Sequence, residues 1–409
     1  MEFLIALIYI FHQMVDANLD LFYMLALILI VFDLLKRTGI TIRAVLYFYW
    51  IALYATLLIY LNYTMDIPRL LVNTSKIFLC LFLYWQVRDM VLTGPMLKKI
   101  VHTISLVNVI LLGIGLVLRT DLLWRMDDNV NIYQSVRLSL LYFEPSEASF
   151  HASILVILLM YMVLKGGSWK ESRLSLFYMG TNAVIIILSA GIGAFGSMLL
   201  ALAVMFYYHL FKRVTLKKAV AFISLLIVGI VAISIFVMSK NSFYLRFLDI
   251  INGNDGSVVY RFDVSFRVMW QMLIDSHWLG IGFGNLNTDL TRGMYYQFGL
   301  VEVISNSFMY VIAEGGIFML IFLILFHIAL IRKVRPEERL LKYALLMFIV
   351  CYQIAGGYFT NPVNWIVYGL IANAFYMSHE AVPEAGRSLG LKRMSGLKRQ
   401  DSFGMEMKR

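Results

Sequence analysis

Charge is scarce in this chain of 409 residues, and that scarcity sets its class. Only 15% of residues are charged and 61% are hydrophobic, whereas a soluble globular domain carries about 25% charge. With a mean hydropathy of +0.78, a water-soluble fold is excluded and a polytopic membrane protein is implied. Cysteine is almost missing. Cys80 and Cys351 both sit in apolar runs, which excludes a disulfide framework and marks both thiols as packing residues. The ten-residue alternating segments of a membrane barrel are lacking too, since the apolar runs mostly reach the length of a spanning helix. Met1-Glu2-Phe3 has no basic flank of a secretory signal and no small-residue cleavage site follows, so the N-terminus is expected to be retained. No cluster has convincing metal-ligand spacing, and neither a metal nor another cofactor is expected.

What is present is a series of apolar runs bounded by charged or turn residues. They predict an all-α polytopic membrane protein with about twelve spans, near 2–16, 20–35, 44–61, 69–86, 100–117, 149–164, 174–190, 192–211, 219–238, 303–331, 341–358 and 362–378. Residues 1–378 then form a single transmembrane domain with two longer loops, 118–148 and 239–302, and 379–409 form a flexible basic tail. If the sides alternate, one side collects 25 of the 35 Lys and Arg residues. The positive-inside rule puts that side, with both termini, in the cytoplasm and turns both loops outward. The net charge of +10 therefore orients the chain, and no nucleic-acid partner is implied. The tail is suited to rest on anionic lipid.

Outward basic residues run against the orienting rule, so each needs a reason. Arg137 precedes Glu144-Pro145-Ser146-Glu147, and His151 follows as a span begins. An arginine, carboxylates and a histidine thus share one membrane entrance. Solvated interfacial charges, with Pro145 opening a helix, would explain the same row. In the large loop, Phe262, Phe266, Met269, Trp270 and Leu273 recur at helical spacing, while Asp263, Arg267 and Gln271 fall on another face. They predict an amphipathic helix on the outer interface, anchored by Trp270, with Arg261 and Arg267 at headgroup depth. A guanidinium grips phosphate oxygens bidentately at any relevant pH, although snorkelling accounts for any single arginine. After His277, Gly280-Ile281-Gly282-Phe283-Gly284 reads as a tight turn or a close backbone approach to a ligand. Glu314, inside the next span, is costly in lipid and must face the protein interior, as a functional carboxylate or as a hydrogen-bonded packing contact.

These pieces, in this order, resemble the O-antigen polymerase and O-antigen ligase superfamily. The resemblance rests on Arg137 through Glu144-Pro145-Ser146, the loop with Arg261, Arg267, Trp270 and Gly280 to Asn285, then Ser305-Asn306-Ser307 and Glu314-Gly315-Gly316. It covers roughly residues 130–325. The resemblance implies an integral-membrane glycosyltransferase of the outer face of the bacterial inner membrane. Its donor and acceptor would be oligosaccharides on undecaprenyl diphosphate, the transfer would be metal-independent, and a chain-length regulator would be a partner. It casts Arg261 and Arg267 as the diphosphate site, Arg137 as a second phosphate or sugar contact, and Glu144, His151, His277 and Glu314 as candidate bases. Trp270, Gly282, Gly284 and Asn306 complete the expected substrate site. Ligases of this superfamily often carry a histidine where this chain has Ser305, which favours a polymerase. A ligase delivering polymer to lipid A core, and a lipid-linked oligosaccharide flippase, are the competing readings. A flippase would be expected to hold its cations in a central cavity, not in one long loop.

Overall fold

The computed structural model describes residues 66–126, 136–142, 144–165, 169–212, 242–286, 288–298, 304, 306–357 and 359–374, with Ile28 and Met238. The expected spans 2–16, 20–35, 44–61 and 219–238, and the tail 379–409, lie outside these residues.

Helix α1 runs Ile67–Asp89 and α2 Gly94–Val117. Both start where a side chain can satisfy orphan amides and a proline can occupy the first turn. Asp66 accepts from Arg69 N (3.1 Å) and Thr93 from Met96 N (3.4 Å). A short antiparallel hairpin follows, β1 Trp124–Met126 against β2 Val136–Leu138, with Arg125 opposite Arg137. This ribbon departs from the all-α expectation. Its three-residue strands carry no membrane-length signal, so a reading by span length passes over them.

Next come α3 Pro145–Lys165, α4 Trp169–Ser189 and α5 Ile192–Lys212. The core gathers around α3, which is buried without interruption from Glu147 to Leu159. A helix buried on every face belongs in the middle of a bundle. It packs on α4 and α5, and α5 packs in turn on α11. The large loop folds as α6 Ser242–Ile251, α7 Gly256–Val259, a π-turn Tyr260–Val264, α8 Ser265–Asp275 and α9 Asp289–Tyr295. Then follow α10 Ser307–Lys333, α11 Arg339–Ala355 and α12 Pro362–Ala372.

Six helices among the described residues are long and apolar enough to cross a membrane: α1, α2, α3, Ser172–Ser189 of α4, Ile192–Leu210 of α5, and α10. All six coincide with expected spans. The stretch expected as 362–378 behaves differently. Helix α12 has 11 residues and rises about 16 Å, against about 30 Å of hydrocarbon. The chain leaves α11 at Gly356, where φ is 133°, and Thr360 O accepts from Cys80 Sγ (3.3 Å), midway along α1. Residues 356–357 and 359–361 thus lie within the bundle as irregular backbone, which is tolerated at that depth only inside protein. Asn361 caps α12 there by accepting from Val363 N (3.0 Å).

At the opposite end, Lys342 Nζ donates to Glu338 Oε2 (3.0 Å) and Asn373 O (2.6 Å), and Asn373 Nδ2 donates to Val87 O (2.7 Å) and Met90 O (2.8 Å). This buried knot ties α1, α11 and α12 together. Cys80 and Cys351 are both free thiols.

Candidate functional site

The loop-bearing end of the bundle is a rim made of helix ends. The N-termini of α3, α5 and α10 reach it, as do the C-termini of α4 and α11. Arg137 Nε donates to Ser189 O (3.0 Å) in the last turn of α4, and Arg261 Nη1 donates to Ala355 O (2.6 Å) at the end of α11. Each guanidinium sits where the helix dipole leaves negative carbonyls, which is its favoured place. The two ends are neighbours: a Cβ on Gly193, in the first turn of α5, would lie 3.1 Å from Ala355 Cβ. Ser307 Oγ, at the start of α10, donates to Gly357 O. Ser149 Oγ on α3 donates to Gly191 O (3.3 Å), so α3 joins the same rim.

Glu144 stands half-buried before α3 and accepts from Ser146 Oγ (3.0 Å). His151 is fully buried one step inward and stacks on Tyr142, with centroids 4.6 Å apart. Glu147 is 2% exposed, and burial together with its carboxylate pushes the Tyr142 hydroxyl above its ordinary pKa. The sequence places Glu147 at the same entrance as Glu144 and His151 but assigns it no role. The signal was there, since residues four apart on a helix share a face.

The rest of the expected site is distributed differently. Arg267 is exposed and paired with Asp263, and His277 is exposed as well. Helix α8 packs on α10 through Val268, Met269, Met272 and Leu273. Phe262, Phe266 and Trp270 therefore do not share one apolar face with Met269 and Leu273. They form a separate exposed ridge, in which Trp270 lies against Phe266 (6.2 Å) and Trp278 (5.8 Å). Phe266 and Trp270 sit on the flank of α8 beside the face that α10 covers, and the π-turn lies ahead of that helix at Tyr260–Val264. Asn306 is buried as the N-cap of α10, accepting from Phe308 N (3.1 Å) and Met309 N (3.2 Å).

The glycine run makes the tight turn expected of it, with φ of 86°, 92° and 87° at Gly280, Gly282 and Gly284. It lies against a break in α10, where Gly316 has φ 64° and ψ −164°. Ile281 N donates to Ala313 O (3.0 Å), Gly282 N to Glu314 O (2.9 Å), and Ile317 N to Trp278 O (3.0 Å). A Cβ on Gly280 would meet Glu314 O and Gly316 N at 2.5 Å, and one on Gly284 would meet Arg69 O at 2.8 Å. The loop is thus a strap pressed between α10 and α1, and only glycine allows that approach. Glu314 is buried beneath it, its Oε1 accepting from Leu286 N (3.1 Å).

Six membrane-length helices and a rim holding arginines, carboxylates and helix N-termini define an integral membrane protein with an anion-suited rim. Residues 174–324 match the family described as O-Antigen ligase, a match that supports the O-antigen polymerase and ligase superfamily. The match covers α4, α5, the large loop and the strap with the break in α10. Comparison with curated proteins gives no match. Superfamily members are membrane glycosyltransferase-like enzymes acting on lipid-linked oligosaccharides.

Proposed function

We propose that the chain polymerises oligosaccharide repeat units carried on undecaprenyl diphosphate into a surface polysaccharide. The placement of Arg137 and Arg261 on one rim with the N-termini of α3, α5 and α10 carries this reading. Those arginines offset the negative C-terminal ends of α4 and α11, which leaves the positive N-terminal ends of α5 and α10 to favour an anionic ligand. A departing lipid diphosphate is the kind of anion such a rim stabilises in the transition state. Ser305, in place of the histidine common in ligases, favours the polymerase over delivery to a lipid A core. It lies outside the described residues, and the argument from it rests on sequence.

In the proposed reaction, the acceptor sugar hydroxyl attacks the anomeric carbon of the donor chain. The bond from that carbon to the diphosphate oxygen breaks, its electron pair leaves with the diphosphate, and the hydroxyl proton passes to a carboxylate. Glu144, half-buried at the rim, is the carboxylate we assign to that proton. Arg261 and Arg137 hold the diphosphate or the sugar next to it, and exposed Arg267 meets the headgroup as the donor arrives. His151 and His277 lie respectively too deep and too far out to take the first place at the rim. The same reading puts the rim on the periplasmic face of a bacterial inner membrane, with both termini cytoplasmic and a chain-length regulator alongside.

The test is purified protein in nanodiscs given lipid-linked repeat units. A ladder of longer chains on the carrier, lost in Arg137→Ala and Glu144→Gln, is the expected result. Transfer only to a separate acceptor would make it a ligase, and movement of the unit across a vesicle bilayer without bond formation would make it a transporter.

A further inference from the structure

The carboxylate buried most deeply in a described span is Glu314, 1% exposed, and its surroundings separate it from the rim. Its main-chain oxygen receives Gly282 N and its side chain receives Leu286 N (2.9 and 3.1 Å). One residue therefore grips the strap at two points. The strap's other edge is held by α1, where Asn285 Oδ1 accepts from Asp66 N (2.9 Å). Its entry is held by Ser276 Oγ, which accepts from Gly280 N (3.0 Å) directly after α8. Trp278 O, meanwhile, satisfies the amide that the break exposes at Ile317.

We infer that Glu314 is a positioning residue: its carboxylate fastens the Gly280–Leu286 strap into the break of α10 and thereby fixes the end of α8, the helix that carries Arg267. The strap requires lone pairs facing its Leu286 and Gly284 amides, not a proton acceptor, and an amide oxygen supplies them equally well. Glutamine is therefore a working substitute and leucine is not. A general base behaves in the opposite way, because glutamine cannot take up a proton.

The experiment compares Glu314→Gln and Glu314→Leu in the full chain in nanodiscs, by hydrogen exchange over 278–286 and by transfer kinetics across pH. In Glu314→Leu the Leu286 amide loses a buried acceptor, so strap exchange is expected to speed about 10- to 100-fold, and kcat/KM for the lipid-linked unit falls. Glu314→Gln is expected to restore exchange and kcat/KM to within about threefold of the original, with an unchanged pH profile. If folded Glu314→Gln shows strap exchange like the original protein but no transfer, or loses the acidic limb of its pH profile, the positioning role is wrong. The kinetic half rests on the proposed transferase reading. Should the unsubstituted protein transfer nothing, that reading fails, while strap exchange in the two variants still decides the role of Glu314. The glutamine variant alone keeps the question answerable if the leucine variant does not fold.

Discussion

Arg261 is expected to be both a helix cap and a ligand for substrate, and Arg261→Met separates the two roles. Methionine keeps the aliphatic stem beside Gly356 but removes the donor to Ala355 O, a contact of 2.6 Å. A hydrogen bond from a charged group contributes about 1.5–3 kcal/mol, and a cation at a helix C-terminus about 0.3–1. Arg261 is half-buried, so water replaces part of the lost bond and a net cost of about 1–2 kcal/mol is expected. That cost is local. It should speed exchange of the amides from Tyr352 to Gly357 about 5- to 30-fold, while the α3–α4 interface is unaffected. Hydrogen exchange on the intact protein, run beside the transfer assay, reads both effects. Unchanged exchange would refute the cap. Full activity with faster exchange would remove Arg261 from the substrate site.

Gly316→Ala places a side chain where φ is 64° and ψ −164°, a region open essentially to glycine, and drives it into the Leu279 carbonyl. A cost of at least about 1–3 kcal/mol is expected, seen as a lower unfolding temperature and a protease-sensitive strap. Lys342→Ala leaves Glu338 buried without its partner and should destabilise by about 3–5 kcal/mol, whereas Lys342→Met with Glu338→Gln should come near neutral. A thermal-shift cycle of single and double variants checks this, and a double variant as weak as the single would refute it. The ridge of Phe262, Phe266, Trp270 and Trp278 is exposed, and the Trp278 main chain is tied to α10 at Ile317. A fluorophore at Phe266→Cys, with Cys80 and Cys351 replaced by alanine, should be quenched by brominated acyl chains and shielded from aqueous iodide. The reverse pattern would show the ridge facing water.

Much of the site could be read before the fold was seen, though unevenly. Pro145 announced the start of α3, and alternating glycines announced left-handed backbone at Gly280, Gly282 and Gly284. These are local signals, because φ and the missing amide of proline belong to single residues. The face of α8 was misjudged for a different reason. Phe262 and Phe266 have helical spacing with Met269, but the position of α10 decided which apolar residues meet protein and which meet the surroundings. Glu147 received no role beside Glu144 because burial, which distinguishes them, is not a property of either residue alone.

The sequence by itself determined the membrane class, six of the spans, the arginines of the two loops and the glycines of the strap. Hydropathy and backbone freedom act over a few residues, and each is legible where it stands. Only the tertiary structure decided that Arg137 and Arg261 cap neighbouring helix ends, that α12 begins deep in the bundle, and that Glu314 faces the strap. Those facts depend on carbonyls and amides distant in sequence: Ser189 for Arg137, Ala355 for Arg261, and Leu286 for Glu314. Unpaired main-chain groups at helix ends and breaks must find partners when buried, and which partner is in reach is settled by packing.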